Sequence, residues 1–304
     1  MKKTCSKCNK PAVTFIRYNG THLCKDHFIQ YFERRVKKDI KKQGKTENGS
    51  KIGVAISGGK DSLVALHIIN DIFSKRRKID VIAITVDEGI KDYRNESIEI
   101  AANDCKKLGV KHHVVTFKEM IGRTMDEIAS KNDELGECSY CGVFRRLCLN
   151  SKSKELGITK LVTGHNLDDM AQSILMNFTN GDVQKLARLG PHQKVQPGLV
   201  PRMLPLRVIP EKENALYAIL KNIEYHDGVC PYSTSAYRGV FRDIIDDLEY
   251  KNPGTRHSIL NSYDGIKEIL LEKYPLANLN KCARCGEPTS QEICKACILK
   301  DKIL

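Results

Sequence analysis

A loop rich in glycine and hydroxyl groups is the first segment whose residues could carry out chemistry. Ile52–Ile56 has the composition of a buried strand, and Ser62–Ile72 has the apolar spacing of a helix. The glycines between them let the backbone approach an anion, and the helix start offers free N–H groups and a positive dipole end. The residues of the predicted pyrophosphate cradle are Ser57, Gly58, Gly59, Lys60, Asp61 and Ser62.

Two further segments follow predicted strands and are expected at the same edge of the sheet. Val86–Gly89 reads VDEG, and Gly164–Asp169 reads GHNLDD. The carboxylates of Asp168 and Asp169 can cap the next helix, or they can hold Mg²⁺ through their oxygens. We favour the magnesium role for Asp169 more than for Asp168. Asp61 has the same two possible roles.

Three cysteines have a spacing that does not complete a zinc site. Cys138 and Cys141 form a CxxC pair, and Cys230 stands far beyond them in the chain. A tetrahedral zinc ion needs a fourth ligand, whereas three thiolates suit a [4Fe–4S] cluster with one iron left open. A persulfide on one cysteine, resolved by another, is the alternative chemistry. Cys105 and Cys148 lie in helix-like runs, and we expect them to be buried structural thiols.

Eight more ligands form two small modules at the ends of the chain. Each module supplies four soft ligands from two knuckles, as a closed structural zinc site requires. Such modules are too small for an apolar core, so the metal should supply their folding energy. The Lys and Arg residues near each module favour contact with RNA, and the alternatives are structural bracing or a dimer contact. The predicted zinc ligands are Cys5, Cys8, Cys24 and His27, and Cys282, Cys285, Cys294 and Cys297.

Strands that alternate with helices position these groups. After the first strand and helix, Ile79–Val86 is β-rich, Ser97–Leu108 is helical and Lys111–Phe117 is a short strand. This alternation predicts an α/β fold with a parallel sheet, whose ligands bind beyond the carboxyl ends of the strands. The expected domains are a zinc finger (1–30), a basic helix and linker (31–50), a catalytic domain (51–210), a helical extension carrying Cys230 (211–275) and a second zinc finger (276–304).

The charge of the chain favours a polyanionic partner. The 304 residues include 50 Lys and Arg against 37 Asp and Glu, a net charge of +13. Phosphate groups bind such surfaces with release of counterions, so nucleic acid is the expected partner. The 12 cysteines are clustered as metal sites are, and no apolar run is long enough to span a bilayer. We therefore expect a cytoplasmic protein that does not enter membranes.

These motifs resemble those of a known enzyme family. SGGKDS, at Ser57–Ser62, lacks the Walker A spacing and matches the PP-loop of the ATP pyrophosphatase superfamily. CxYC followed by GVFRR, then GHNLDD and a late single cysteine, in this order, resemble the TtuA/NcsA group of tRNA 2-thiouridine synthetases. Paired terminal zinc modules are typical of that group, so the resemblance covers nearly the whole chain. It implies a PP-loop domain, adenine nucleotide alpha hydrolase-like in fold, between two zinc modules.

The resemblance also implies an activity and its cofactors. The enzyme would use ATP and Mg²⁺ to adenylate O2 of a tRNA uridine, releasing diphosphate, and sulfur would then displace AMP. Catalysis would depend on Lys60, Asp61 and the cysteines Cys138, Cys141 and Cys230, which in the family bind the [4Fe–4S] cluster. Two Zn²⁺ ions complete the cofactors. The implied contacts to ATP, besides the loop, are Val86, Asp87, Arg145, Gly164 and Asp169.

The resemblance leaves alternatives for the target uridine, the sulfur donor and the class of protein. The wobble uridine is favoured as the target, and a T-loop uridine is the alternative. The sulfur donor is sulfide or a thiocarboxylated ubiquitin-like carrier protein, and the family implies a homodimer. A different PP-loop ATP pyrophosphatase that makes a small-molecule product is the main rival, and a zinc-based RNA-binding protein without catalysis is the second.

Overall fold

The N-terminal part of the protein is a small hairpin joined to a long helix. The computed structural model describes residues 3–74, 78–131, 135–192, 195–233 and 237–303. Strand β1 (Thr14–Ile16) pairs antiparallel with β2 (Thr21–Leu23), a short 3-10 turn joins them, and helix α1 (Lys25–Lys42) follows. The apolar residues of α1 recur at helical spacing, so they form one buried face. They are Phe28, Phe32, Val36 and Ile40.

A parallel sheet forms the centre of the molecule. Its strands are β3 (Lys51–Ala55), β4 (Asp80–Asp87), β5 (Lys111–Thr116), β6 (Lys160–Val162) and β7 (Arg202–Met203). They pair in the order β5-β4-β3-β6-β7, and every pair is parallel. The central strands are nearly continuous apolar runs because helices cover both faces.

The helices form two layers with separate apolar clusters. Residues of α1 and α2 pack with one face of the sheet, and residues of α6 and α12 pack with the other. The helices of the sheet domain are α2 (Lys60–Phe73), α3 (Arg94–Leu108), α4 (Phe117–Ile121), α5 (Met125–Ala129), α6 (Glu137–Glu155), α7 (Leu167–Thr179) and α8 (Val183–Ala187). The helical extension holds α9 (Glu211–Leu220), α10 (Arg238–Lys251) and α11 (Thr255–Lys273), and the C-terminal module holds β8 (Asn280–Lys281), β9 (Pro288–Thr289) and α12 (Lys295–Ile303).

The predicted α/β architecture with a parallel sheet is confirmed. The strands and helices expected before residue 180 occur at their predicted places, with ends that differ by a few residues. The predicted division at residue 30 falls inside α1, because that helix starts within the N-terminal module and continues into the core. None of the helices in the described ranges is long and apolar enough to cross a membrane.

The first prediction concerns α1 as a part of the core. Phe32 is fully buried, and its ring stacks on that of Tyr217 in α9 with centroids 4.1 Å apart. Replacing Phe32 with Ala should reduce the free energy of unfolding by about 3–5 kcal/mol, because the substitution leaves a cavity. Urea denaturation measures this loss.

The matched control is Phe178→Ala in the last turn of α7, where the side chain is 51% exposed. This change should cost less than about 1 kcal/mol. Equal losses in the two variants would show that α1 does not belong to the core.

Candidate functional site

The loop after β3 has a conformation that only glycine fits. Gly58 has a φ of +83°, in the left-handed region. A Cβ at this position would lie 2.1 Å from the carbonyl oxygen of Ser97 in α3. No other residue can occupy it without moving α3, so the close approach fixes the course of the loop.

The loop presents hydrogen-bond donors at the start of α2. Gly59 precedes the helix, and no side chain caps it. Ser57 N–H donates to Ser62 Oγ at 3.0 Å, and the two hydroxyl oxygens lie 3.2 Å apart. The first N–H groups of a helix have no partner within it. This uncapped start therefore fits a phosphate group, as its sequence predicts.

Lys60 and Asp61 form a charged pair beside the loop. Lys60 Nζ lies 3.1 Å from Asp61 Oδ2 and 2.9 Å from Glu211 Oε1. Burial opposes the charge of Lys60, but these carboxylates raise its pKa above the ordinary value. Asp61 also accepts hydrogen bonds from Asn214 Nδ2 at 3.0 Å and Asn166 Nδ2 at 3.3 Å. Lys60 therefore remains a cation that an anionic ligand can attract away from Glu211.

Arg94 holds the phosphate loop through hydrogen bonds, and the sequence did not identify it as a residue of the site. Its guanidinium donates to Ser57 O at 3.0 Å, to Val86 O at 2.5 Å and to Ser97 Oγ at 3.0 Å. The side chain is only 3% exposed. Arg94 thus ties the phosphate loop to the end of β4. An arginine at the start of a surface helix has no sequence signature that separates it from a solvated charge.

Glu88 connects Arg94 to a second arginine. Glu88 is 3% exposed, and its Oε2 forms an ion pair with Arg94 Nε at 2.6 Å. The Nε–H bond of Arg94 is not aligned with this oxygen, so the contact is an ion pair without a hydrogen bond. Its Oε1 accepts from Arg145 Nε at 2.8 Å. Arg145 lies on α6, and half of its side-chain surface is exposed. One buried carboxylate therefore holds a supporting arginine and an accessible one.

The ends of β4 and β6 place the other predicted contacts beside the loop. Val86 O is held by Arg94, and Asp87 Oδ1 accepts from Gly89 N–H at 2.8 Å. A Cβ on Gly164 would lie 2.9 Å from the backbone of Asp61 and Ser62, so glycine allows this loop to contact α2. Both segments lie at the carboxyl edge of the sheet, as predicted.

The two aspartates of GHNLDD have different surroundings. Asn166 caps α7, and Asp169 Oδ2 completes this capping box by accepting from the N–H of Asn166. The other carboxylate oxygen of Asp169, Oδ1, accepts from Arg238 at 3.0 Å. Asp168 instead pairs with Arg256 at 2.6 Å and accepts from the N–H of Glu211 at 2.7 Å. Both aspartates are thus paired with arginines of the helical extension, and the charge of Asp169 also acts on Asp61.

The oxygen donors of the site suit magnesium. Burial, and then the charges of Asp169 and Glu211, raise the pKa of Asp61 despite the opposing effect of Lys60. A cation between Asp61 and Asp169 would reduce the repulsion between their carboxylates. Magnesium needs only one or two carboxylates when phosphate oxygens complete its shell. Asp61 and Asp169 fit that requirement.

The three predicted cysteines come together. Cys138 and Cys141 lie in the first five residues of α6, and Cys138 Sγ donates to Tyr232 O at 3.4 Å, two residues beyond Cys230. Burial and then the charge of Cys230 raise the pKa of the Cys138 thiol. Burial raises the pKa of Cys141 to about 11, although Arg145 opposes this. Three thiolates here would repel one another, so a positive centre is needed to hold them.

The trio is spaced too widely to surround a single metal ion. Within the described residues, two groups of metal-binding side chains have all their ligand atoms within 4.8 Å of one another, and the trio is not among them. A single zinc ion requires such a group. A cluster places each thiolate on a different iron and tolerates wider spacing.

Two contacts join the cysteines to the phosphate loop. Arg145 Nη2 donates to Cys141 Sγ at 3.1 Å, and the same arginine pairs with Glu88. The segment before Cys230 also reaches the loop, because His226 N–H donates to Gly58 O at 2.9 Å. The trio therefore lies at the same carboxyl edge of the sheet as the phosphate loop.

The terminal modules form the expected ligand groups. Cys5 Sγ and Cys24 Sγ each lie 3.4 Å from His27 Nδ1, and Cys285 Sγ lies 3.5 Å from Cys294 Sγ. Burial opposes ionisation of Cys5, but backbone hydrogen bonds from Cys24 and Lys7 lower its pKa to about 6. Ligand atoms this close fit a tetrahedral zinc ion in each module. The two groups are Cys5, Cys8, Cys24 and His27, and Cys282, Cys285, Cys294 and Cys297.

Cys105 and Cys148 are the buried thiols that their helical context predicts. They are 1% and 0% exposed, and burial raises the pKa of each to about 12.

Comparisons with known proteins identify relatives over the whole chain. A family model described as a PP-loop domain matches residues 29–245, and one described as the N-terminal LIM domain of 2-thiouridine synthetase TtuA matches residues 4–29. The chain is 40% identical to tRNA 2-thiolation protein NcsA of Haloferax volcanii, over 98% of both proteins. It is 36% identical to cytoplasmic tRNA 2-thiolation protein 1 of Xenopus laevis, over 98% of this chain and 88% of the relative.

A solved structure has the same fold over almost its full length. It is the U34-tRNA thiolase NcsA from Methanococcus maripaludis with its [4Fe-4S] cluster, which is 37% identical. The match has a TM-score of 0.85 and covers 98% of this chain and 96% of the other.

The second prediction tests the link made by Glu88. Replacing Glu88 with Gln keeps its shape but leaves two arginines without the charge between them. Breaking such a buried pair should reduce the free energy of unfolding by about 3 kcal/mol, measured in urea. Glu99→Gln, an exposed change on α3, should stay within about 0.5 kcal/mol. A Glu88 variant as stable as the Glu99 variant would contradict the link.

Proposed function

This chain belongs to the PP-loop family of tRNA 2-thiolation proteins, and we propose that it thiolates the wobble uridine of tRNA at position 2. The activity is that of an ATP-dependent tRNA-uridine 2-sulfurtransferase, which forms AMP and diphosphate. Support for the wobble position comes from the name of the Methanococcus relative, a U34-tRNA thiolase. The T-loop uridine is the alternative target.

The observation that carries this proposal is the continuous chain of contacts from the phosphate loop to the cysteines. Arg94 holds Ser57 O, Glu88 lies between Arg94 and Arg145, and Arg145 contacts Cys141 at 3.1 Å. An enzyme that only splits ATP has no use for a cysteine trio next to its nucleotide. A sulfur-transferring enzyme needs both groups beside one substrate atom.

ATP is bound by the loop and the strand ends around it. The N–H groups at the start of α2 and the hydroxyls of Ser57 and Ser62 receive the phosphates. Lys60 leaves Glu211 and neutralises the charge that develops on the departing diphosphate. Asp61 and Asp169 would hold Mg²⁺, which would offset the negative charge of the phosphates. Gly164, Val86 and Asp87 are the expected contacts on the nucleotide side, together with Arg145, whose side-chain surface is half exposed.

The reaction consists of two displacements. The uridine O2 attacks the α-phosphorus of ATP, a new P–O bond forms, and diphosphate leaves. A sulfide sulfur then attacks C2, and AMP leaves with the former O2, so that a C=S bond replaces C=O once the sulfide proton is lost. Base atoms in a stack are out of reach, so the uridine enters the site extruded.

The trio of Cys138, Cys141 and Cys230 would hold a [4Fe–4S] cluster, and the Methanococcus relative has one. When bound, such a cluster supplies an iron that three thiolates leave open to a sulfur ligand. Arg145 lowers the cost of the charge on Cys141. A persulfide on one cysteine is the alternative source of sulfur.

The partners follow from the same chemistry. The substrate is tRNA, and the donor is sulfide or a thiocarboxylated ubiquitin-like carrier. Each terminal module holds a structural Zn²⁺ ion, since no ligand position is left for water. A homodimer that works in the cytoplasm is the expected form of the enzyme, and the Xenopus relative is named a cytoplasmic protein.

The third prediction tests the trio. Replacing Cys138, Cys141 or Cys230 with Ala should abolish thiolation and bleach the visible absorbance of the reconstituted protein, because two thiolates cannot hold the cluster. Nucleoside mass spectrometry of tRNA incubated with ATP, Mg²⁺ and sulfide measures the product.

Cys105→Ala is the matched control, since that thiol is buried in α3 away from the site. It should keep both the absorbance and the activity. Full thiolation with any one of the three cysteines replaced would refute their assignment, and a wild-type protein that makes no 2-thiouridine would refute the proposed function.

A further inference from the structure

A groove beside the candidate site has a concentration of positive charge. It has a volume of about 390 Å³ and lies between α6, the segment around β7 and the C-terminal module. Four cations line it, and its remaining surface is largely apolar, with Leu147 and Leu161 among its residues. The cations are Arg146, Arg188, Arg202 and Lys295.

The cations of the groove are not neutralised by the protein. Across the described ranges, the four side chains make no salt bridge or hydrogen bond, and none of them belongs to the residues with further contacts. One carboxylate, Glu287, lines the groove. It is already engaged by Lys154 and by Asn150 Nδ2 at 2.8 Å. The groove therefore has an excess of unpaired positive charge.

The arginines also repel one another. Burial and then the charge of Arg145 lower the pKa of Arg146, and burial and then the charge of Arg146 lower the pKa of Arg202. Cations kept together without a counterion destabilise the free protein. An anion in the groove would remove that repulsion and form charge-assisted hydrogen bonds with the guanidinium groups.

The groove is adjacent to the reacting groups. Arg146 directly follows Arg145, which contacts Cys141. Arg202 pairs with Leu161 of β6, and Thr163 N–H at the end of β6 donates to the carbonyl of the next residue, Met203, at 3.1 Å, so Arg202 lies close to the loop after β6. The groove therefore borders the helix that carries Arg145 and the strands that lead to the carboxyl edge.

We propose that this groove binds the phosphodiester backbone of the substrate RNA next to the extruded uridine, with Arg146 and Arg202 as its phosphate ligands. Guanidinium forks match phosphate oxygens, and the apolar floor suits a ribose or an unstacked base. An acidic tail of a sulfur-carrier protein would also be attracted by the positive charge, but it would make no favourable contact with the apolar floor of the groove. The inference rests on the proposed function, because it needs RNA as the substrate.

The test is the salt dependence of tRNA binding by the full-length protein. The variant Arg146→Gln/Arg202→Gln should bind unmodified tRNA about tenfold more weakly. The slope of log Kd against log salt concentration should decrease by about 2, one for each lost phosphate contact. ATP affinity and cluster absorbance should not change.

Two further variants make the result decisive. Lys106→Gln/Lys111→Gln removes the same charge from exposed positions and should alter the slope by less than half as much. Arg146→Lys/Arg202→Lys keeps the charge and should restore most of the slope, which rules out misfolding as the cause.

The outcomes separate this inference from the proposed function. If wild-type protein thiolates tRNA and the Gln variant binds tRNA with unchanged affinity and slope, the groove does not bind RNA. If the Gln variant loses only carrier-dependent thiolation while its tRNA binding is normal, the groove serves the carrier and the inference is wrong. If wild-type protein makes no 2-thiouridine, the proposed function itself fails.

Discussion

Glu88 lies between Arg94 and Arg145 with 3% of its surface exposed, and the relative position of two functional groups depends on it. Arg94 holds the carbonyl of Ser57 in the phosphate loop, and Arg145 contacts the thiol of Cys141. A charge this deeply buried cannot lose a partner without a large desolvation cost. The phosphate loop and the start of α6 are therefore coupled, and Ser57 and Cys141 are held in a fixed relative position.

This ion-pair network fixes the relative position of the phosphate loop and α6, but it adds little to the net free energy of unfolding. Buried ion pairs often contribute little net free energy, because the loss of hydration offsets their attraction. The stability of the domain comes from the apolar clusters on the two faces of the sheet, one with α1 and α2 and the other with α6 and α12. The polar groups collect at the carboxyl edge, where parallel strands end and loops are free to vary. The apolar residues that stabilise the fold are thus separate from the polar residues of the candidate site.

Sequence reasoning succeeded where a local pattern determines the structure. The strand Ile52–Ile56 and the helix after it were predictable from apolar periodicity, and both terminal groups of four metal-binding side chains from the spacing of their cysteines and histidine. Glu88 and Arg94 were not recognised, because a charged residue that pairs across distant segments looks like any solvated charge in a single sequence. Strand β7 has two residues and no periodicity to detect. The Arg146 and Arg202 pair depends on how β7 packs beside α6.

The most direct measurement of the central claim follows the oxygen that leaves the uridine. Transfer RNA labelled with ¹⁸O at O2 of its wobble uridine is incubated with the enzyme, ATP, Mg²⁺ and sulfide, and the AMP is analysed by mass spectrometry. If the phosphate loop and the cysteine trio act on one uridine, one ¹⁸O appears in AMP for each 2-thiouridine formed. Unlabelled AMP beside thiolated product would show that O2 was not adenylated, which contradicts the account.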